Sequence, residues 1–314
     1  MKKVFILSCE TVNNGGGIYC YELLENKFCN NGYFPCDRPM YAIYKNDRMH
    51  VVLRQACGKN SGYFYIKKNF TLPSNVMDTQ GVVACHLDVA LGNNYIVNYL
   101  SGNVVKNCNK VVWHFGKGKN QNRQDAPHTH YCGVLEDKYL IVTDLGIDTI
   151  SVYDLDLNLI SQANVPLGYG VRHLVTAKEG KTIYSVNELV PSVSIFDFCQ
   201  GEIVYKKTVN LEFENKKATG CAIRLSNNGE YLYLSLREEN CIVVLKIDKT
   251  ELNVVQKFSC GGESPRDIQI IEDKYLISCN EKSDNIVLFG LKEGLIDKVL
   301  HEEKISKPLC CVYA

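Results

Sequence analysis

The chain carries no surplus charge: 35 Lys and Arg face 35 Asp and Glu, for a formal net charge of zero. Nucleic acid and anionic membrane surfaces are held by a summed basic field, so neither is an expected partner. No run approaches the ~18 apolar residues that cross a bilayer. The opening stretch Met1-Lys2-Lys3-Val4-Phe5-Ile6-Leu7-Ser8-Cys9-Glu10 has neither the apolar length nor the small-residue cleavage site of a signal peptide. A soluble, cytoplasmic protein is expected. The 15 cysteines contain no CxxC pair, their number is odd, and Cys85, Cys221, Cys241 and Cys279 interrupt apolar, strand-like runs. They read as small buried hydrophobes in a reducing compartment, not as a disulfide or metal framework. There is no Gly-x-Ser-x-Gly elbow and no cysteine in a catalytic context, so covalent catalysis has no support. No low-complexity linker divides the chain, and residues 1–314 are expected to form one domain.

Repetition is what the chain has in abundance. Apolar residues make up 46% of it, with 19 Tyr and 11 Phe, enough for a large core. An apolar run, a polar turn and a second alternating run recur at 139–144 then 149–154, 182–187 then 192–197, 231–236 then 241–246, and 275–280 then 285–289. A weaker copy occupies 95–98 then 103–105. Aligned on Asn103, Thr149, Ser192, Cys241 and Asn285, the copies step by 46, 43, 49 and 44 residues. Short strands at that period, with no long segment of helical periodicity between them, predict an all-β protein, a β-propeller of four-stranded antiparallel blades. Dividing 314 residues by about 45 gives seven blades. Two further blades are expected around residues 41–53 and 87–105, and the opening segment is expected to complete the last blade, which would remove two exposed sheet edges.

Polar residues stand where each blade's first strand should begin: Cys85-His86-Leu87, Pro127-His128-Thr129-His130, Gly170-Val171-Arg172-His173-Leu174 and Ser264-Pro265-Arg266-Asp267-Ile268. The second strands end at Asn98, Asp144, Asn187-Glu188, Arg237 and Asn280-Glu281. Antiparallel pairing sets the start of a first strand beside the end of the second, so both groups are expected around one mouth of the channel. Arg172, Glu188 and Arg266 are the hardest to explain as packing, because two guanidinium groups aimed into a channel repel unless an anion or a carboxylate lies between them. His128 and His130, at i and i+2, share a strand face and could bind zinc, but no third ligand can be assigned, so neither metal nor cofactor is expected. Asp144 beside Gly146 reads as a turn cap, and His173, expected to point away from Arg172, as a structural histidine. The basic stretch 116–125 reads as a solvated loop, or as a rim loop bringing Lys or Arg to an anionic substrate.

These residues resemble a known family, the seven-bladed propeller lactonases, which include propeller-type 6-phosphogluconolactonases and carboxy-muconate lactonizing enzymes. The matching stretches are Arg123-Gln124 before Pro127-His128-Thr129-His130; Asp144-Leu145-Gly146-Ile147-Asp148; Arg172-His173-Leu174 with Val186-Asn187-Glu188-Leu189; Pro265-Arg266-Asp267; Ser283-Asp284-Asn285; and Pro308-Leu309-Cys310-Cys311-Val312. They span roughly residues 80–314. The resemblance implies a site of one His, two Arg and one Glu, which falls here on His130 (or His128), Arg172, Glu188 and Arg266. Three positions depart from the family's pattern: Tyr131 stands where a small Ser is usual, Arg224 where a His is frequent, and Asn93-Asn94 where a turn of Asp-Gly is usual.

The activity this implies is metal-independent hydrolysis of a small-molecule sugar lactone, foremost 6-phosphogluconolactone. Glu188 is the first choice of general base and His130 the second, with Arg172 or Arg266 polarising the carbonyl. Arg123 and Arg237 are candidates to hold a phosphate, and His86, His128 and Asp144 complete the substrate-binding set. Two other readings fit the same residues: a cycloisomerase that closes a lactone from an unsaturated dicarboxylate, and a non-catalytic propeller that binds a partner on its face. The pattern leaves the oligomeric state open.

Overall fold

Alternating apolar residues and two-residue turns build one unit repeatedly. In the computed structural model, which describes residues 3–249 and 251–314, seven four-stranded antiparallel sheets form the blades of a seven-bladed β-propeller. Met1 and Lys2, at the head of the opening stretch, lie outside the described residues. Where hairpins are tight, the two loop residues both adopt positive φ, as at Glu25-Asn26 (50° and 65°) and Asn46-Asp47 (53° and 56°). That conformation matches the right-handed twist of the flanking strands.

The blades fall into two compact units. One, residues 40–210, holds four blades. The chain's fourth and fifth blades, both in this unit, consist of strands Thr129–Leu135, Tyr139–Asp144, Thr149–Asp154 and Leu159–Asn164, then Val171–Thr176, Thr182–Asn187, Ser192–Cys199 and Glu202–Asn210. The other unit holds three blades. In one of them strand Pro308–Tyr313 pairs with Lys3–Ser8, Val4 opposite Tyr313, so the opening segment does complete the last blade. The runs read as paired strands from the sequence are the second and third strands of their blades. One local expectation is corrected: the turn of the third blade is Leu91-Gly92, with φ of 49° and 78°, and Asn93-Asn94 already begin strand Asn93–Asn98.

Apolar side chains pack between neighbouring sheets. Ile141, Ile150 and Val152 of the fourth blade meet Val171, Leu174, Ile183 and Phe196 of the fifth, all at most 5% exposed. Cys85, Tyr95, Val97 and Val104 of the third meet Cys132, Leu140 and Val142 of the fourth. Each large side chain so buried contributes roughly 1.5–3 kcal/mol relative to exposure. Nine of the fifteen cysteines are buried, Cys85, Cys221, Cys241 and Cys279 among them. Among the described residues no helix is long and apolar enough to cross a membrane.

Candidate active site in the four-blade unit

Register places the site. Thr129 lies opposite Asp144, Ala84 opposite Asn98 and Val171 opposite Asn187, so the start of each first strand adjoins the end of the second. The residue after each second strand then donates its amide to the carbonyl just before the first strand: Tyr99 to Val83 at 2.8 Å, Leu145 to His128 at 3.0 Å, and Glu188 to Gly170 at 2.7 Å. Tyr99, Leu145 and Glu188 are therefore equivalent positions in three successive blades.

Each of these first strands also carries an extra residue. Pairing skips Cys85, His130 and Arg172, which lie between partners Ala84 and His86, Thr129 and Tyr131, and Val171 and His173. A β-bulge breaks the strict alternation of faces and re-aims the side chains around it. His173 follows the bulged Arg172 in its strand. Its ring stands 5.2 Å from those of both His86 and His130. His86 stacks on Tyr41 at 4.0 Å and meets Tyr131 at 4.4 Å, while its Nδ1 accepts the amide of Cys132, which leaves the proton on Nε2. Three imidazoles, each at most 5% exposed, thus share one wall with Tyr41 and Tyr131.

Beside that wall lies a charged cluster. Glu188, 2% exposed, is ion-paired with Arg172, whose Nε lies 3.0 Å from Oε2, and accepts the guanidinium of Arg123 on Oε1. Arg172 is buried with it, whereas the Arg123 side chain is 41% exposed. Burial works against the Arg123 charge, but the Glu188 carboxylate outweighs it and holds the guanidinium more firmly protonated than usual. Burial also pushes the Tyr99 phenol up, partly offset by a hydrogen bond from Arg123. Tyr99 joins the two groups: its ring stacks on His128 at 4.4 Å and meets His130 edge-on at 5.5 Å.

Within the stretch 116–125, Arg123 turns inward and reaches the Glu188 carboxylate. Gln124, fully buried, donates from Nε2 to the carbonyl of Leu145 and to Asp148 Oδ1, both at 2.8 Å, and this anchor delivers Arg123 to Glu188. Asp144 caps the turn at Gly146 and engages both of its oxygens within the protein. Its Oδ1 accepts the amides of His128 (2.7 Å) and Gly146 (2.9 Å), and Oδ2 accepts His114 Nδ1 at 2.7 Å, whose Nε2 lies 2.8 Å from the Tyr153 hydroxyl. Gly146 is required there, since a Cβ would fall 1.9 Å from the Ala126 carbonyl oxygen. His128, held by this carboxylate, donates from Nδ1 to the Tyr99 carbonyl at 3.0 Å.

Of the expected site residues, the four-blade unit brings together His86, Arg123, His128, His130, Arg172 and Glu188. Arg237 and Arg266 belong to the three-blade unit: Arg237 ends strand Tyr231–Arg237 opposite Thr219, and Arg266 is the bulged residue between Pro265 and Asp267. Tyr41, Tyr99 and His114 were absent from the expected set. Tyr99 had a signal: it follows Asn98 as Glu188 follows Asn187. Chemically, the cluster offers a caged carboxylate, one buried and one accessible guanidinium, and a wall of imidazoles.

Known proteins share this fold. A family model described as "Lactonase, 7-bladed beta-propeller" matches residues 4–313. An uncharacterized protein of Staphylococcus aureus (strain USA300) is 27% identical over 307 residues, covering 88% of this chain and 89% of that one. A Bacteroides fragilis protein provisionally called a 6-phosphogluconolactonase superposes with a TM-score of 0.90 at 24% identity, over 100% of this chain and 98% of that one. The periplasmic gluconolactonase PpgL of Pseudomonas aeruginosa superposes with a TM-score of 0.87 at 19% identity, over 100% and 99%.

Proposed function

The chain belongs to the seven-bladed β-propeller lactonase family, and from that premise we propose that it hydrolyses a phosphorylated sugar lactone, 6-phosphogluconolactone in the first instance, in the cytoplasm. The observation that carries the reading is the Arg123–Glu188–Arg172 cluster set against the imidazole wall. Two guanidinium groups on one carboxylate leave a net positive site, suited to an anionic substrate.

Hydrolysis needs a base for water and a positive group for the oxygen that becomes negative. Both oxygens of Glu188 already face guanidinium groups, which makes it a poor proton acceptor. Its part in the proposal is therefore to hold Arg172 and Arg123 in place, and the base passes to His130. Two imidazolium charges about 5 Å apart would repel by roughly 3 kcal/mol at an effective dielectric of 20, which favours a neutral ring at His130. His130 takes the water proton as the water oxygen bonds to the carbonyl carbon. Arg172 steadies the oxyanion; the ring C–O bond then breaks and the proton passes to the leaving oxygen, giving the hydroxy acid. Arg123, with its exposed face, receives the phosphate, since a guanidinium fork matches phosphate oxygens in pairs. Arg266 and Arg237, in the three-blade unit, are candidates through the family resemblance alone.

The test is a comparison of kcat/KM for 6-phosphogluconolactone and unphosphorylated gluconolactone. A preference of tenfold or more for the phosphorylated substrate, lost in Arg123→Ala, is expected; equal values would overturn the phosphate assignment.

A further inference from the structure

The bulged residues that carry the proposed chemistry share a backbone problem. An extra residue in a strand has no cross-strand partner, and a buried carbonyl off the ladder is costly unless another donor reaches it. For Arg172 that donor is Thr143, whose hydroxyl lies 2.6 Å from the Arg172 carbonyl oxygen. For Arg266 it is Cys221, whose thiol lies 3.0 Å from the Arg266 carbonyl oxygen. Around His130 it is Cys85, with Sγ 3.4 Å from the carbonyl of Thr129 and 3.5 Å from that of His130. In all three cases the donor comes from the preceding blade and is at most 7% exposed.

Thr143 shows that the donor is there for more than packing. Its register equivalents, each one residue before the end of a second strand, are Val97, Val186 and Cys279, all fully buried. Valine has nearly the shape of threonine, so space alone would be filled as well by the apolar residue used in the adjacent blades. The hydroxyl adds a donor aimed at one carbonyl. The two thiols extend the pattern, because a small buried Cys can serve as a weak donor where a larger polar side chain would not fit.

We infer that Thr143, Cys221 and Cys85 are positioning residues: each locks the bulge of the following blade and thereby fixes the direction of Arg172, Arg266 or His130. The consequence for turnover rests on the lactonase reading, whereas the lock itself does not. In Thr143→Val the Arg172 carbonyl loses its donor and the bulge is free to rotate the side chain away from Glu188. Misplacement of this kind is expected to lower kcat about 10- to 100-fold with KM within a few-fold of wild type, and Thr143→Ser should restore it.

The activity-independent readout is NMR of the 15N,13C-labelled full chain. The Nε–H resonance of Arg172, assigned by its loss in Arg172→Lys, should shift or broaden in Thr143→Val and return in Thr143→Ser. The Arg172 carbonyl 13C resonance should move upfield in the same variant. An unchanged Nε–H resonance in folded Thr143→Val overturns the inference, as does failure of Thr143→Ser to restore it. Should Thr143→Val not fold, Cys221→Ala against Cys221→Ser is read on the Arg266 carbonyl, and no shift in Cys221→Ala overturns the inference. If wild type hydrolyses no lactone, the functional proposal fails while the NMR result still decides the lock.

Discussion

The fourth and fifth blades are buried equally well in two places that have nothing else in common. Midway along the strands, Ile141, Ile150, Val171 and Phe196 close a contact in which every side chain is apolar. At the end of the same strands, Arg172, Glu188, His130 and His173 are also no more than 5% exposed, yet they carry charge, ring nitrogens and a caged carboxylate. Burial of the first kind follows directly from the hydrophobic effect. Burial of the second kind works against it: a buried ion pair can lose as much in desolvation as it gains in attraction, so it is weak evidence for stability. The difference teaches that the middle of the blades holds the fold, whereas the ends bury charged groups that folding alone does not call for, the groups the lactonase proposal uses.

Substitutions should therefore separate the two regions. His130→Asn is expected to lower kcat about 10²- to 10⁴-fold with KM and Tm nearly unchanged, measured by initial rates and thermal unfolding of the same preparation. Phe196→Ala should do the reverse. Its ring is fully buried, so urea unfolding should show a loss of about 3–5 kcal/mol while kcat per folded molecule stays within twofold. Glu188→Gln falls between them: removing the carboxylate strands Arg172 among buried groups and should cost about 3 kcal/mol of stability together with at least tenfold in kcat.

The smallest expected effect concerns His50, a buried histidine away from the imidazole wall, with Nδ1 2.7 Å from the Tyr63 hydroxyl. Burial lowers its pKa to about 4. Unfolded, it titrates near 6.5, so between those values the unfolded chain binds more protons than the folded one. Its contribution is then complete above pH 6.5 and is lost as pH falls toward 4, to the extent of at most about 3 kcal/mol. Thermal unfolding at pH 7 and pH 4.5 should show a larger drop for wild type than for His50→Gln; equal drops would remove His50 from the account.

Blade number and strand pairing were legible because they depend on period, which survives substitution. Asn103, Thr149, Ser192, Cys241 and Asn285 mark third strands by position alone, and each does begin one. The same reasoning placed Arg172 and Glu188 together, because antiparallel pairing dictates which strand ends adjoin. It stops short where one residue breaks the alternation. The grouping of His173 with His86 and His130 was not foreseen, because the bulge at Arg172 is a backbone event that no side-chain pattern announces. The second guanidinium on Glu188 was not foreseen either, because Arg123, 65 residues away in sequence, reaches it from a loop whose anchor, Gln124, bonds to residues of a different turn.

The account's central claim is that the charged and imidazole cluster at the end of the fourth and fifth blades hydrolyses a lactone. Hydrolysis releases one acid proton per turnover, so a pH-stat assay at neutral pH with 6-phosphogluconolactone reads it directly against the spontaneous rate. The account predicts saturable acid release by wild type, well above the uncatalysed rate, that falls at least a hundredfold in His130→Asn while the variant stays folded. Acid release by wild type no faster than the spontaneous rate, or undiminished in His130→Asn, would contradict it.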